Sequence, residues 1–403
     1  MTVQETMDAT AELNRLLSES VPEAAHREIT TFENALKPFS KRVVIYGGGN
    51  LGRRTLAGLK GTGIEVIAFV DRNPMLWSQT IAGIPVYGPE EAALRFGSNA
   101  LFVIALWHPT RTTGIESVSQ MLRKLGCAGV ISFAPLYWRY SSQYLPYYMW
   151  DLPSRAIHSA ERVRFAFELF ADSYNSQSRF VQQLRLRTHA DFAYPEPPAD
   201  HPAYFPPLFQ PVSDECFIDC GAFDGDTVRV FLDWSNRSFS KVVAFEPDPR
   251  NADALEVFAG RDKSLKGRME IFRNATGERA DIVRFAASGK TDAAISAAGD
   301  IEVKCVTLDH ILASQHATFI KMDIEGAEMS TLRGAREVIG RERPILAVCV
   351  YHQQDHLWEV PLTIHSQMAK ARFGLFGYFM EGMETVCYAV PQERYLDGYG
   401  ACP

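Results

Sequence analysis

Two acids and a histidine are the residues of this chain whose types and spacing could move a proton. In "IKMDIEGAE", Asp323 and Glu325 alternate at the end of an apolar run, so their side chains are expected on one face of a strand end. Glu328 follows in a helix expected after Gly326. A second apolar run, "PILAVCVY", ends at His352. Histidine titrates near neutrality and is the usual general base. A carboxylate pair can do the same work, or hold Mg2+ to lower the pKa of a hydroxyl. Each residue also has a plainer reading: acids in a first turn stabilise a helix, and a strand-end histidine can tie down a loop. Asp323, His352 and Glu325 form the candidate catalytic set. Mg2+ is not favoured, given its requirement for oxygen ligands, and no metal is assigned.

A glycine turn lies upstream of these groups, in "FIDCGAFDGDTV". Asp219 ends a strand, Gly221, Ala222 and Gly225 form the turn, and Asp226 and Thr227 are placed to cap the next helix. A carboxylate this close to the turn would repel a pyrophosphate and suits a cationic ligand, such as the amino-acid part of S-adenosylmethionine. Glu246 ends the next strand, twenty-five residues after Gly221, where a carboxylate can accept hydrogen bonds from ribose hydroxyls.

A tidier glycine turn occurs near the amino terminus, in "VVIYGGGNLGRR". Gly47, Gly49 and Gly52 fit G-x-G-x-x-G, and Asp71 lies nineteen residues beyond Gly52. Glycines there let backbone N–H groups approach a phosphate at a helix N-terminus. Reacting groups are scarce: His108 is the obvious acid nearby, and none of the 15 tyrosines has the lysine four residues on that short-chain reductases use.

The elements that must position these groups alternate. "VVIY", "EVIAFVD", "ALFVIAL" and "AGVISF" read as buried parallel strands between helices, and "CFIDCGA", "KVVAFEP", "MEIFRNA", "TFIKMDI" and "PILAVCVY" form a second series. "DIVRFAA" and "EVKCVTL" read as an inserted hairpin. "FGYFMEG" and "TVCYAVP", joined by a short turn, make the final strand antiparallel. The expected class is α/β with two doubly wound domains. The segments are 1–37, helical; 38–150, Rossmann-like; 151–211, a helical and proline-rich linker; and 212–403, carrying the second turn. The aromatic run from Phe133 to Trp150 suits either packing between domains or stacking on sugar rings.

At 403 residues, 46% hydrophobic and 22% charged, the chain has the make-up of a globular protein. The net charge of -7, with scattered Lys and Arg, leaves no footprint for nucleic acid. No apolar run is long enough to span a membrane. The seven cysteines, mostly in strand-like runs, are expected to be buried thiols, and the protein is expected to be cytoplasmic. A homo-oligomer is compatible with everything above.

The motifs "FIDCGAFDGDTV", "VVAFEPDPRN", "TLDHIL", "TFIKMDIEGAEMSTLRGA" and "PILAVCVYHQQDHLWEVP", in this order, resemble the FkbM-type methyltransferase family over about 190 residues, from roughly Ser213 onward. The resemblance implies a class I, S-adenosylmethionine-dependent enzyme that O-methylates a hydroxyl of a sugar, glycan or related natural product. It places Asp219, Gly221 and Gly225 at the methionine end of the cofactor, Glu246 at the ribose and Asn274 and Ala275 beside the adenine. The amino-terminal half resembles the nucleotide-sugar-binding domains of sugar-modifying enzymes, which implies a nucleotide or nucleotide-sugar ligand or a fold kept for binding or assembly. The rival reading is an NAD(P)-dependent nucleotide-sugar-modifying enzyme using that half, and a non-enzymatic ligand sensor is the third.

Overall fold

The strand-like runs of the first half pair as a parallel sheet. In this computed structural model residues 8–106, 114–171, 173, 175–193, 197–287, 294–295 and 299–396 are described, and His108 lies outside them. The strands are β1 (Arg42–Tyr46), β2 (Glu65–Val70), β3 (Thr80–Ile81), β4 (Ile84–Tyr87), β5 (Leu101–Ile104) and β6 (Gly129–Ser132). Their order is β3-β4-β2-β1-β5-β6, with only β3 antiparallel to its neighbour. All of β5 and nearly all of β1 are buried, as expected for strands covered on both faces. The chain runs outward from β1 and then crosses back to β5, so the first glycine turn stands where strand order reverses.

The amino-terminal helical segment is two helices, Ala9–Leu16 and Val21–Leu36. Ser20 breaks it and starts the second: its side chain accepts from the Glu23 N–H, while Glu23 reaches back to the Ser20 N–H at 2.8 Å. The aromatic run is built into the core of this first unit. Tyr137 stacks on Tyr144 at 4.1 Å, Phe133 meets Trp150 edge-on at 5.2 Å, and all four are buried. Gly58 makes room for Tyr144, whose ring would lie 2.4 Å from a Cβ there.

The second sheet contains β7 (Cys216–Cys220), β8 (Lys241–Phe245), β9 (Met269–Phe272), β14 (Phe319–Met322), β15 (Ile345–Cys349), β16 (Ala371–Gly377) and β17 (Thr385–Pro391). Its order is β16-β17-β15-β14-β7-β8-β9, parallel except for β17, which is antiparallel to both neighbours, as the short final turn demands. The inserted hairpin belongs to a sheet of its own. β11 (Asp281–Ala286) and β13 (Ile301–Val306) pair antiparallel, joined by β10 (Ala275–Thr276) and β12 (Ala294–Ile295). "MEIFRNA" is therefore split: β9 stays in the large sheet and β10 leaves for the small one. Asn274 stands at the break and donates from Nδ2 to Lys304 O at 3.2 Å.

The chain folds as two compact units. One holds residues 1–160, 181–198 and 379–383, the other 161–180, 199–378 and 384–403. The interval 151–211 is divided between them and contains the helices Pro153–His158, Ala160–Glu168 and Ser176–His189. Among the described residues six cysteines are present, all buried with free thiols, and no helix is long and apolar enough to cross a membrane.

Candidate active site

Register brings the candidate residues to one edge of the second sheet. β14 lies between β7 and β15, with Lys321 opposite Asp219 on one side and Ala347 on the other. The glycine turn, the Asp323 turn and the Tyr351–His352 segment therefore leave adjacent strands at the carboxyl edge, where open α/β sheets bind ligands. Asp323 N–H extends the ladder to Cys220 O at 3.1 Å. Gly221 has φ +80°, and a Cβ there would sit 1.9 Å from Asp323 O. Only glycine lets these two backbones come so close.

Asp323, Glu325 and His352 converge. His352 Nε2 lies 3.4 Å from Asp323 Oδ1 and 3.4 Å from Glu325 Oε1, and its Nδ1 is 2.7 Å from Glu328 Oε1. The donor atoms of the first three lie within 4.8 Å of one another, a spacing that could hold a metal ion. Glu325 adopts φ +51°, a sparsely populated conformation for a residue with a side chain, just before Gly326 at +102°. Glu328 begins the helix Glu328–Arg333, but its carboxylate caps nothing in that helix. It accepts from the Ile324 N–H at 3.0 Å and binds His352, and His356 Nδ1 is 3.4 Å away.

Charge at this edge is strongly coupled. Burial alone would push His352 down, but Glu328 and Glu325 hold its pKa well above the ordinary value. Burial would likewise raise Glu328, yet His352 and His356 keep it at about 2. Glu325 is shifted upward by burial, which outweighs the opposing pull of His352.

Three residues here were not anticipated from sequence. Tyr204 donates to Asp323 Oδ2 at 2.8 Å, and Tyr351 Oη lies 3.2 Å from both Asp323 Oδ1 and Glu384 Oε1. Burial, reinforced by Asp323, pushes Glu384 up to about 7. Tyr351 adjoins His352 and was visible in principle. Tyr204, from the proline-rich stretch, and Glu384, from the last hairpin, reach the site only through long-range folding.

The cofactor-type residues gather beside this group. Asp219 is fully buried, with Oδ1 3.0 Å from Lys321 Nζ. Its Oδ2 has no hydrogen-bond partner among the described residues. Lys321 also donates to Gly221 O at 2.6 Å. Burial raises the Asp219 pKa to about 6 against the pull of Lys321. A lysine in an otherwise apolar strand was the sequence signal for this pair. Glu246 Oε2 accepts from Phe223 N–H and Oε1 from Asp248 N–H, both at 2.9 Å. Its burial pushes it up to about 7. Ala222 is buried, and Gly225, at φ +90°, lets the turn pack on Phe258, 2.6 Å from where a Cβ would be. Asp226 does not cap the following helix; it accepts from the Thr227 N–H at 2.7 Å. Asn274 and Ala275 stand apart from this cluster in sequence, at the junction of β9 and β10, with Ala275 buried. A cavity of about 450 Å³ opens beside Glu325, lined also by Arg279, Val283, Ile295 and Gln353.

The turn in the first unit is built similarly. Asp71 Oδ2 accepts from Gly48 N–H at 2.8 Å and Oδ1 from Asn73 N–H at 2.9 Å. A Cβ on Gly52 would meet Gly47 O at 1.9 Å, whereas Gly49 faces open space.

Residues 219–375 match the family model for the methyltransferase FkbM domain. Among solved structures, the methyltransferase FkbM from Methylobacillus flagellatus KT is similar over 94% of this chain and 98% of that one, at 22% identity and a TM-score of 0.74, which shows a shared fold. A putative rRNA-methylase from Clostridium thermocellum aligns with 45% of this chain and 90% of its own at 9% identity, with a TM-score of only 0.30. No curated protein matches the sequence. The matched region starts at Asp219, ends in β16 and takes in the glycine turn, the Asp323 turn and His352. The family match therefore falls on the stretch that carries the candidate site.

Proposed function

We propose that the chain is an S-adenosylmethionine-dependent O-methyltransferase acting on a hydroxyl of a sugar, glycan or related polyhydroxylated product. The observation that carries this reading is the backbone contact of Gly221 with Asp323, which makes the cofactor-type turn and the proton-handling group one site. The orphaned, buried Asp219 Oδ2 fits an ammonium donor, and the Glu246 carboxylate fits the ribose hydroxyls. When bound, the cofactor supplies a methyl group on a cationic sulfonium. The carboxylate pair of Asp323 and Glu325 serves as the base for the acceptor's one proton, while His352, kept charged by Glu328, lies between the two carboxylates and offsets their mutual repulsion. The tyrosine hydroxyls of Tyr204 and Tyr351 fix the rotamer of Asp323. The cavity beside Glu325 has the volume for a small polar acceptor. In the first unit a nucleotide or nucleotide-sugar site at Gly47, Gly49, Gly52 and Asp71 belongs to the same proposal, as does a cytoplasmic enzyme.

Thermal-shift measurements test the cofactor half. S-adenosylhomocysteine should stabilise the protein, and Glu246→Ala should abolish that shift. Stabilisation by NAD(H) alone would overturn the assignment in favour of the nucleotide-sugar reading. A labelled-methyl screen over sugar acceptors then tests the reaction.

A further inference from the structure

The spacing at His352 suits a metal ion. Ligand atoms about 2.1 Å from one ion lie roughly 3.0–3.4 Å from each other in octahedral or tetrahedral arrangements. His352 Nε2 is 3.4 Å from both Asp323 Oδ1 and Glu325 Oε1. Its other nitrogen is held by the wholly buried Glu328. A buried carboxylate on the far ring nitrogen is how proteins orient histidine ligands and raise their basicity. The surrounding charge points the same way. Asp323, Glu325, Glu328 and Glu384 face this edge against His352 and His356, while the nearby Lys321 is committed to Asp219 and Gly221 O. Carboxyl groups thus outnumber the basic side chains gathered here. The cavity at Glu325 opens on one of the three ligands.

We propose that Asp323, Glu325 and His352 Nε2 bind one first-row divalent cation of the Mn2+ type, whose open positions receive the acceptor hydroxyl. One imidazole with two carboxylates is a poor match for Mg2+, which wants oxygen ligands, and a good one for Mn2+ or its neighbours. The ion takes the place of a proton on Nε2 and lowers the pKa of the bound hydroxyl. The O–H bond breaks and its proton passes to the non-coordinating oxygen of Glu325. The hydroxyl's part in this rests on the function proposed above; the ion site does not.

Calorimetric titration of the chelator-treated full chain with MnCl2, paired with Mn2+ electron paramagnetic resonance, decides it. One Mn2+ per chain is expected, with Mg2+ at least about tenfold weaker. Glu325→Gln and His352→Ala should each weaken Mn2+ by at least tenfold, and Glu328→Gln by roughly 10–100-fold, the range seen when a ligand's supporting partner is lost. Retained stabilisation by S-adenosylhomocysteine shows that these variants are folded. No saturable Mn2+ uptake by the wild type, or equal uptake by wild type, Glu325→Gln and His352→Ala, overturns the site. Failure of the wild type to bind S-adenosylhomocysteine strikes the function proposed above instead, and Mn2+ uptake still decides the ion site.

Discussion

The two glycine turns of this protein are built alike and surrounded differently. In each, the first glycine follows a central strand and its N–H reaches the end of the next strand, Gly47 to Val70 O and Gly221 to Phe245 O. In each, an acid beyond that strand grips one N–H of the turn and another two residues past itself: Asp71 with Gly48 and Asn73, Glu246 with Phe223 and Asp248. In each, a Cβ on the first glycine would strike the carbonyl just beyond the neighbouring strand, Ala105 in one and Asp323 in the other. Two residues back along the strands, Ile45 faces Val103 in the first sheet and Asp219 faces Lys321 in the second. The backbone device is common to both. The ion pair and the acid are present in one, with alanine and two aliphatic side chains at the same places in the other. A phosphate-loop pattern is thus a property of the fold, and the neighbouring strand end decides whether chemistry follows.

Substitution can break this comparison at its strongest point. Asp323→Asn should lower methyl transfer by about 10²–10⁴-fold in a labelled-methyl assay, the usual worth of a general base, while S-adenosylhomocysteine binding persists. Asp71→Asn should leave the rate at saturating acceptor within about twofold, since no reacting group is assigned to the first turn. Equal loss in the two variants would erase the distinction.

Lys321→Met leaves Asp219 buried without its cation, so unfolding stability should drop by about 3–5 kcal/mol in chemical denaturation. A loss below 1 kcal/mol would mean that the pair is as dispensable as the Ile45–Val103 contact. Next in size, Gly221→Ala forces a Cβ into Asp323 O and should cost about 2–4 kcal/mol. Gly49→Ala, at φ -78° with nothing within 4 Å, should cost about 0.5 kcal/mol or less in the same experiment.

The last effect concerns pH. The Glu246 pKa is raised on folding to about 7 by burial, so the native state holds the proton that the unfolded chain has already released. Its contribution is complete below the ordinary carboxylate pKa and is lost as pH rises through about 7. Wild type should therefore lose about 1–3 kcal/mol relative to Glu246→Gln between pH 4.5 and 7.5. Parallel stability curves would show that Glu246 is not protonated in the native state.

Much of this arrangement could be read from residue order, because it depends on local signals. Apolar runs between helical stretches gave the parallel strands, and the short turn before Thr385 made β17 antiparallel; Asp323 and Glu325, read as alternating on a strand end, instead lie beyond Met322, with Glu325 in a turn at φ +51°. Glu328 could not be assigned that way. An acid in a first turn reads as a helix cap, whereas here His352, twenty-four residues on, is its partner. The break at Asn274 was hidden for a similar reason, since the pairing partner of β10 is β13, some thirty residues away. Tyr204 and Glu384 carry no local mark at all. Their places are set by chain closure over more than a hundred residues and by the last hairpin respectively.

The buried thiols give the sheet a built-in clock. Cys216, Cys220, Cys349 and Cys387 stand on β7, β15 and β17. All four are buried, and burial raises each pKa, so a thiol-trapping reagent meets neither an accessible sulfur nor a thiolate while the strands stay paired. At reagent concentrations where trapping outpaces reclosing, the rate at which these sulfurs become labelled is the rate at which the strands flanking the active edge part. No probe has to be engineered to time that opening, and slower labelling on adding a ligand would report its grip on those strands strand by strand.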